Sequence, residues 1–242
     1  MNILIINQDW FAKELREMGH GVLTCGTAHH LEHRLTSSLR HIDQLLAELP
    51  GHFKPDRILW LDNSAPLHII GIEDCSIPTL FYSVDTHHHY GLHSYLADSF
   101  DHVLIAQRDF MRHFTRRDTP CSWMPLWAPL YVEKSAHKKF GATFVGTLNP
   151  KLNPERVAFF EELRRLVPIH VTQGSYQNIF PFAELIVNQT VKGDLNFRVF
   201  ESMMCGAMLL TERTPNGLLD IFKDGTHLAT YSPRDTKDAA EK

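Results

Sequence analysis

The chain has 242 residues, 43% of them hydrophobic and 21% charged, with a formal net charge of −4. That balance belongs to an ordinary globular chain with apolar material for one or two cores, and it excludes a general electrostatic affinity for nucleic acid. No apolar run reaches the roughly 18 residues of a membrane-spanning helix, and four scattered cysteines without metal-type spacing point to free thiols in a reducing, cytoplasmic setting.

Met1–Ile6 lacks the basic region and cleavage site of a signal peptide, and Ile3–Ile6 reads as a first strand. Further short strands are expected at Gly21–Thr24, Arg57–Leu61, Thr79–Ser83, His102–Ala106 and Cys121–Met124. Leu35, Leu39, Ile42, Leu45, Leu46 and Leu49 recur at helical spacing before Pro50-Gly51, which predicts a helix across this stripe. His29 and His33 have the i, i+4 spacing of helical metal ligands, but they lie in a polar stretch where solvated histidines are expected.

A second series of strands follows at Ala142–Val145, Ile169–Thr172, Leu185–Val187, Ala207–Leu210 and Leu228–Tyr231. Strands alternating with helical patterns argue for parallel sheets wrapped by helices. Between the two series, the stretch from Trp127 to Phe140 contains proline and charge without periodicity. The expected organisation is a Rossmann-like domain over 1–132, a linker over 133–141 and a second Rossmann-like domain over 142–242, facing each other across a cleft.

Sixteen histidines are many for this length, and Asp85-Thr86-His87-His88-His89 with His93 is their densest cluster. It follows the apolar run Leu80–Val84, so it belongs at the carboxyl end of a strand, where open α/β sheets bind ligands. Asp85 can hold an imidazole in one tautomer, and His87 suits general-base chemistry. A metal site using Asp85, His87 and His89, which would suit a hydrolase, is the rival, although contiguous histidines point in divergent directions. A structural role is the third reading.

The strand ending at Val145 leads into Gly146-Thr147-Leu148-Asn149-Pro150-Lys151. Glycine there allows close backbone approach to a ligand, and Pro154 suits the first turn of a helix. Gly146, Thr147, Lys151 and Arg156, with the helix N-terminus, form a candidate cradle for a diphosphate. A plain strand-to-helix turn with two solvated cations is the alternative.

The most informative run is Asp194–Gly225, which reads as helix, glycine stop, buried strand, polar loop and second short helix. Asn196 is the expected N-cap, accepting a first-turn N–H with its side chain. Phe197, Phe200, Met203 and Met204 mark an apolar helical stripe, with Gly206 as the C-terminal glycine. Arg198 and Glu201 are polar exceptions in that helix, and a buried carboxylate needs hydroxyl-type partners. Thr211 and Glu212 stand at the carboxyl end of the following strand. Glu201 facing solvent on a capped amphipathic helix is the plainer reading.

The run N-F-R-V-F-E-S-M-M-C-G-A-M-L-L-T resembles the donor-site helix and strand of group 1 glycosyltransferases with the two-domain GT-B fold, and is most similar to the spore-maturation, CgeB-like group. F-Y-S-V-D-T-H-H-H, W-M-P-L-W-A-P and A-T-F-V-G-T-L-N-P-K-L-N-P-E-R resemble other patches of that group. The resemblance implies a nucleotide-sugar donor, with Glu201 on the ribose and Arg198, Lys151 and Arg156 on the leaving diphosphate. Asn196, Thr211 and Glu212 complete the donor side. It further implies a glycan or protein hydroxyl as acceptor, Asp85 or His87 as base if the reaction inverts, and neither a cofactor nor a metal ion.

Two departures qualify that expectation. Retaining relatives carry a second glutamate eight positions before the helix one; here Gly193 stands there, with Asp194 beside it as a replacement. Relatives also run well beyond 300 residues and end in helices that brace the first domain. The expectation is therefore a second domain truncated at its C-terminus, exposing an apolar face that favours a dimer, with weak activity or noncatalytic nucleotide or carbohydrate binding.

Overall fold

The computed structural model describes residues 1–62, 68–114, 119–128 and 132–242. The chain forms two compact units, Met1–Pro125 and Leu126–Lys242. Of the stretch from Trp127 to Phe140, residues 129–131 lie outside the described residues.

The first unit contains β1 (Asn2–Ile6), α1 (Ala12–Glu17), β2 (Gly21–Gly26), β3 (His33–Arg34), β4 (Leu39–His41), α2 (Ile42–Glu48), β5 (Arg57–Leu61), β6 (His68–Ile70), β7 (Thr79–Ser83), α3 (Thr86–Leu96), β8 (His102–Ile105) and β9 (Cys121–Trp123). Among the described residues, seven of these strands form one sheet in the order β3-β2-β1-β5-β7-β8-β9, and β4 pairs with β6. All these pairings are parallel. Alternate residues of the strands, Leu4 and Ile6, Ile58 and Trp60, Val103 and Ile105, project into one core with Ile42 and Leu45 of α2 and Leu49 directly after it. Aromatic packing closes it: Trp60 meets Phe100 edge-on at 5.4 Å, and Phe81 stacks on Phe100 at 5.2 Å.

The stripe from Leu35 to Leu49 is not one helix. Ser37 Oγ bonds both the N–H and the carbonyl of Leu39, a local bond that competes with helical pairing. Leu39, 53% exposed, joins β4, and the helix begins only at Ile42. Leu35, Ile42, Leu45 and Leu49 are nevertheless all buried, so the stripe identified core residues while misassigning their backbone. His33 lies in β3 and His29 outside any helix, so their spacing does not place them on one helical face.

The second unit contains β10 (Phe140–Val145), α4 (Pro154–Leu166), β11 (His170–Thr172), β12 (Ala183–Asn188), α5 (Phe197–Met204), β13 (Met208–Glu212), α6 (Leu218–Ile221), β14 (Ala229–Tyr231) and α7 (Thr236–Glu241). Its parallel sheet runs β11-β10-β12-β13-β14. β10 starts at Phe140, inside the stretch read as linker. The core is aromatic: Phe144 contacts Phe160 at 4.0 Å, and Phe159 stacks on Tyr231 at 5.4 Å. Six-residue α7 is too short to be stable alone. Asp235 caps it through the N–H groups of Lys237 and Asp238, and Ala239 is buried in the core with Phe160.

Helix α5 ends at Gly206, whose φ of +63° is the left-handed conformation that ends helices. The residues buried here are not those of the apolar stripe Phe197, Phe200, Met203 and Met204. Val199, Ser202 and Cys205 are buried, while Met204 is 43% exposed. Ser202 can turn inward because its Oγ donates to the Val199 carbonyl at 3.1 Å, which satisfies the hydroxyl inside the helix.

Both sheets contain a point where the strand order reverses. In the first, β1 lies between β2 and β5; in the second, β10 lies between β11 and β12. In such sheets the connections leave adjacent strands toward opposite faces, and a crevice opens at their carboxyl ends. For the second unit that crevice lies between Val145 and Asn188.

Phe160 is fully buried against both Phe144 and Phe159. Phe160→Ala should destabilise the second unit by about 3–5 kcal/mol, read from urea unfolding followed by near-ultraviolet circular dichroism.

Candidate functional site

In the second unit the site is assembled around Asn188, the last residue of β12 and fully buried. Its Oδ1 accepts from Arg198 Nη1 at 2.6 Å and from Asn196 Nδ2 at 3.3 Å. Its Nδ2 donates to Thr211 Oγ1 at 3.0 Å, and its carbonyl accepts from the Tyr231 hydroxyl at 2.8 Å. One residue thus ties together β12, β13, β14 and the start of α5 through its side-chain amide and its carbonyl.

Arg198 reaches back from the first turn of α5 and spans the crevice. Its Nε donates to the Val145 carbonyl at 2.9 Å, so the guanidinium bridges the ends of β10 and β12. It lies 4.7 Å from the centre of the Phe144 ring, and Arg156, from α4, lies 5.7 Å from the same ring. Burial, and secondarily the neighbouring Arg156, pull the Arg198 pKa down to about 10, which leaves it cationic at neutral pH. A Cβ on Gly146 would stand 2.7 Å from Arg198 Nη2 and 2.8 Å from the Phe144 ring. The absent side chain at Gly146 therefore makes room for Arg198 itself.

Glu201 lies one turn after Arg198 on α5 and is partly buried. Desolvation pushes its pKa up to about 7, against the opposing pull of Arg198. Asn196 occupies the N-cap position with extended backbone, but its side chain does not cap the helix. It turns instead to Asn188 and Asp194, leaving its buried Oδ1 without a hydrogen bond. Asp194 is buried; its Oδ1 accepts from the Val191 N–H at 2.6 Å, and burial raises its pKa against the fields of Arg156 and Arg198.

Of the other expected donor residues, Arg156 lies near Arg198, and the rest make contacts of their own. Arg156 is buried, donating through Nε and Nη2 to the side chain and carbonyl of Gln189. Thr147 and Lys151 are exposed on the turn before α4. Glu212 ends β13, its carboxylate engaged by the N–H and hydroxyl of Thr190 and by the Arg234 N–H at 2.7 Å. Those bonds tie the loops after β12 and β14 to the end of β13. Gly193 has φ +74°, and its carbonyl accepts from Thr214 Oγ1 at 2.6 Å.

In the first unit the histidine cluster is not in a loop. Asp85 is the N-cap residue of α3, and the histidines occupy the helix, with non-helical dihedrals at His89. Asp62, directly after β5, accepts from the Asp85 N–H at 2.9 Å and lies 3.8 Å from His93 Nε2. His93 Nδ1 and Ser83 Oγ share a hydrogen bond of 2.8 Å, and Ser83 Oγ is 2.7 Å from Thr86 Oγ1. Burial lowers the His93 pKa, partly offset by Asp62. His87 is buried beside His88, with ring centres 4.1 Å apart. Among the described residues, no three His, Cys, Asp or Glu side chains are grouped to hold a metal ion.

Sequence reasoning missed Asn188, Gln189 and Asp62. Asn188 and Asp62 are polar residues that end an apolar strand run, the same signal that singled out Asp85.

A family model described as "Glycosyl transferase-like" matches residues 138–242. No curated protein matches the sequence. Among solved structures, HepE of Anabaena in complex with UDP and glucose aligns over 100% of this chain and 88% of its own, with 14% identity and a TM-score of 0.65. A glycosyltransferase from Rickettsia africae aligns over 99% of this chain and 86% of its own, with 10% identity and a TM-score of 0.63. The lipopolysaccharide outer core galactosyltransferase WaaB, in its apo form, aligns over 100% and 88%, with 12% identity and a TM-score of 0.60. At such identities the likeness is one of fold, the mixed α/β GT-B fold with parallel sheets. No helix among the described residues is long and apolar enough to cross a membrane.

The Glu201 carboxyl has a folded pKa near 7, above its ordinary value of 4.5. Between those two pH values the folded state holds a proton that the unfolded chain releases, so ionising Glu201 erodes stability as pH rises. Glu201→Gln should therefore match the parent's urea midpoint at pH 4 and exceed it at pH 8.

Proposed function

We propose that this protein transfers a sugar from a nucleotide-activated donor to a hydroxyl acceptor, as a glycosyltransferase of the CgeB-like group. The observation that carries this reading is the Arg198–Glu201 pair at the β10/β12 crevice. A cation held across two strand ends and a partly buried carboxyl one turn later suit a diphosphate and a ribose respectively. The family-model match over 138–242 covers this unit, and HepE has been solved with UDP-glucose.

In this reading Arg198, with Arg156 and Lys151, stabilises negative charge on the departing diphosphate, replacing a divalent metal ion. Ionised Glu201 accepts the ribose hydroxyls. The unpartnered Oδ1 of Asn196 takes a ligand hydroxyl, with Thr211 holding the network behind it. Asp85 or His87 receives the acceptor proton if the reaction inverts. The four free cysteines support a cytoplasmic setting.

Gly193 favours a second reading, noncatalytic nucleotide or carbohydrate binding. At the position eight before Glu201 it has no side chain, and its carbonyl is engaged by Thr214. Hydrolysis or transfer of a nucleotide sugar separates the two.

A thermal-shift panel of uridine, guanosine, cytidine and thymidine diphosphates tests donor binding; a ligand at 100 times its Kd adds about 2.7 kcal/mol of stability. Glu201→Gln should weaken the binding of the active diphosphate by about 1.5–3 kcal/mol in calorimetry. Because the ligand favours the ionised carboxyl, parent affinity should rise from pH 6 to pH 8, and the variant should lose that dependence. Unchanged affinity in the variant removes Glu201 from the site.

Sugar transfer or donor hydrolysis should persist in excess chelator. Activity lost with chelator and restored by one divalent ion would replace the arginine-based account with a metal-based one.

A further inference from the structure

Beside the α4 N-terminus is a cavity of about 270 Å³ whose lining includes Arg156, Lys192 and Arg234, with Glu155 as its carboxylate, and neither Arg198 nor Glu201. We propose that this cavity is a second anion site, which shares Arg156 with the donor site proposed above and is otherwise distinct from it, and that it binds the phosphate group of a small phosphorylated molecule or free phosphate.

The lining carries three cations against one carboxylate. Arg156 is buried and uses Nε and Nη2 on Gln189, while its Nη1 makes no hydrogen bond. Lys192 and Arg234 come from separate loops, one after β12 and one after β14. Each has a left-handed backbone, with φ of +54° and +61°. Glycine or asparagine is the unstrained choice at such positions, yet both carry cations, and both cations line this cavity.

α4 adds a third contribution. Pro154 opens this 13-residue helix, and Asn153 does not cap it, because its Oδ1 accepts from the Asn149 N–H. The first-turn N–H groups of Glu155 and Arg156 make no hydrogen bond within the protein. Backbone donors, the helix dipole and cationic side chains together suit a tetrahedral oxyanion. The volume, near the lower end of the roughly 300–1,000 Å³ common for small-molecule sites, suits a phosphate with a small body attached. At the mouth, Arg234 pairs with Glu155 at 2.8 Å, with both side chains more than half exposed. An entering phosphate competes with Glu155 for Arg234.

The test is calorimetric titration of the full chain with inorganic phosphate, a hexose phosphate and the unphosphorylated hexose, repeated on Lys192→Gln and Arg234→Gln. Both substituted side chains are exposed, so circular dichroism should report an unchanged fold. Saturable phosphate binding, weakened roughly five-fold or more in each variant, is expected, with nucleoside diphosphate affinity unchanged. Tighter binding of the hexose phosphate than of free phosphate identifies a phosphorylated metabolite as the ligand; equal affinity identifies free phosphate. No saturable phosphate binding, or binding indifferent to both substitutions, overturns the proposal. Loss of phosphate and nucleoside diphosphate binding together in Lys192→Gln also overturns it, by making the cavity part of the donor site. Phosphate binding in a protein that binds no nucleoside diphosphate would sink the donor reading and leave this one standing.

Discussion

Arg198 carries its charge across the ends of β10 and β12 because two acceptors hold it there, the Val145 carbonyl and the Asn188 side chain. A buried guanidinium is costly unless its donors are satisfied, so both strand ends must present oxygen at fixed positions. Asn188 meets that demand only while it is anchored, its side-chain amide by Thr211 of β13 and its backbone carbonyl by the Tyr231 hydroxyl of β14. The orientation of one cation thus depends on four of the sheet's strands being in register. The side chain missing at Gly146 belongs to the same constraint, since a methyl group there would occupy the space of Nη2.

The electrostatics follow from this placement. Two arginines lie against the Phe144 ring, where burial and then Arg156 lower the tendency of Arg198 to hold a proton, and Arg198 in turn restrains the rise in the Glu201 pKa. Desolvation is the larger influence on Glu201, so a carboxyl that would be ionised in water sits near half protonation at neutral pH. Glu212 makes the contrast: equally acidic in sequence and more deeply buried, it spends its oxygens on Thr190 and Arg234. Hydrogen-bond donors hold the Glu212 carboxylate, whereas Glu201 has burial and the field of Arg198.

Much of this was legible beforehand. The Asp194–Gly225 run announced helix, glycine stop, strand and short helix, because periodicity and a left-handed glycine are local signals. Arg198 and Glu201 stood out because charge in an apolar helix requires a partner. The reading failed where a side chain competed with the backbone. Ser37 diverted a leucine stripe into a short strand, Ser202 turned inward while Met204 faced solvent, and Asn196 took Asn188 as its partner in preference to the helix terminus.

The sequence by itself determined the alternation of strands and helices, the two α/β units and the short list of polar residues at strand ends, since each rests on side chains within a few positions of one another. The tertiary structure alone decided which of those residues share a site. Arg198 meets a carbonyl 53 positions away, and Glu212 meets Thr190 across 22. Such pairs are fixed by strand order and register. Polar side chains reveal that they need partners, but the packing of the sheet determines which partner each one reaches.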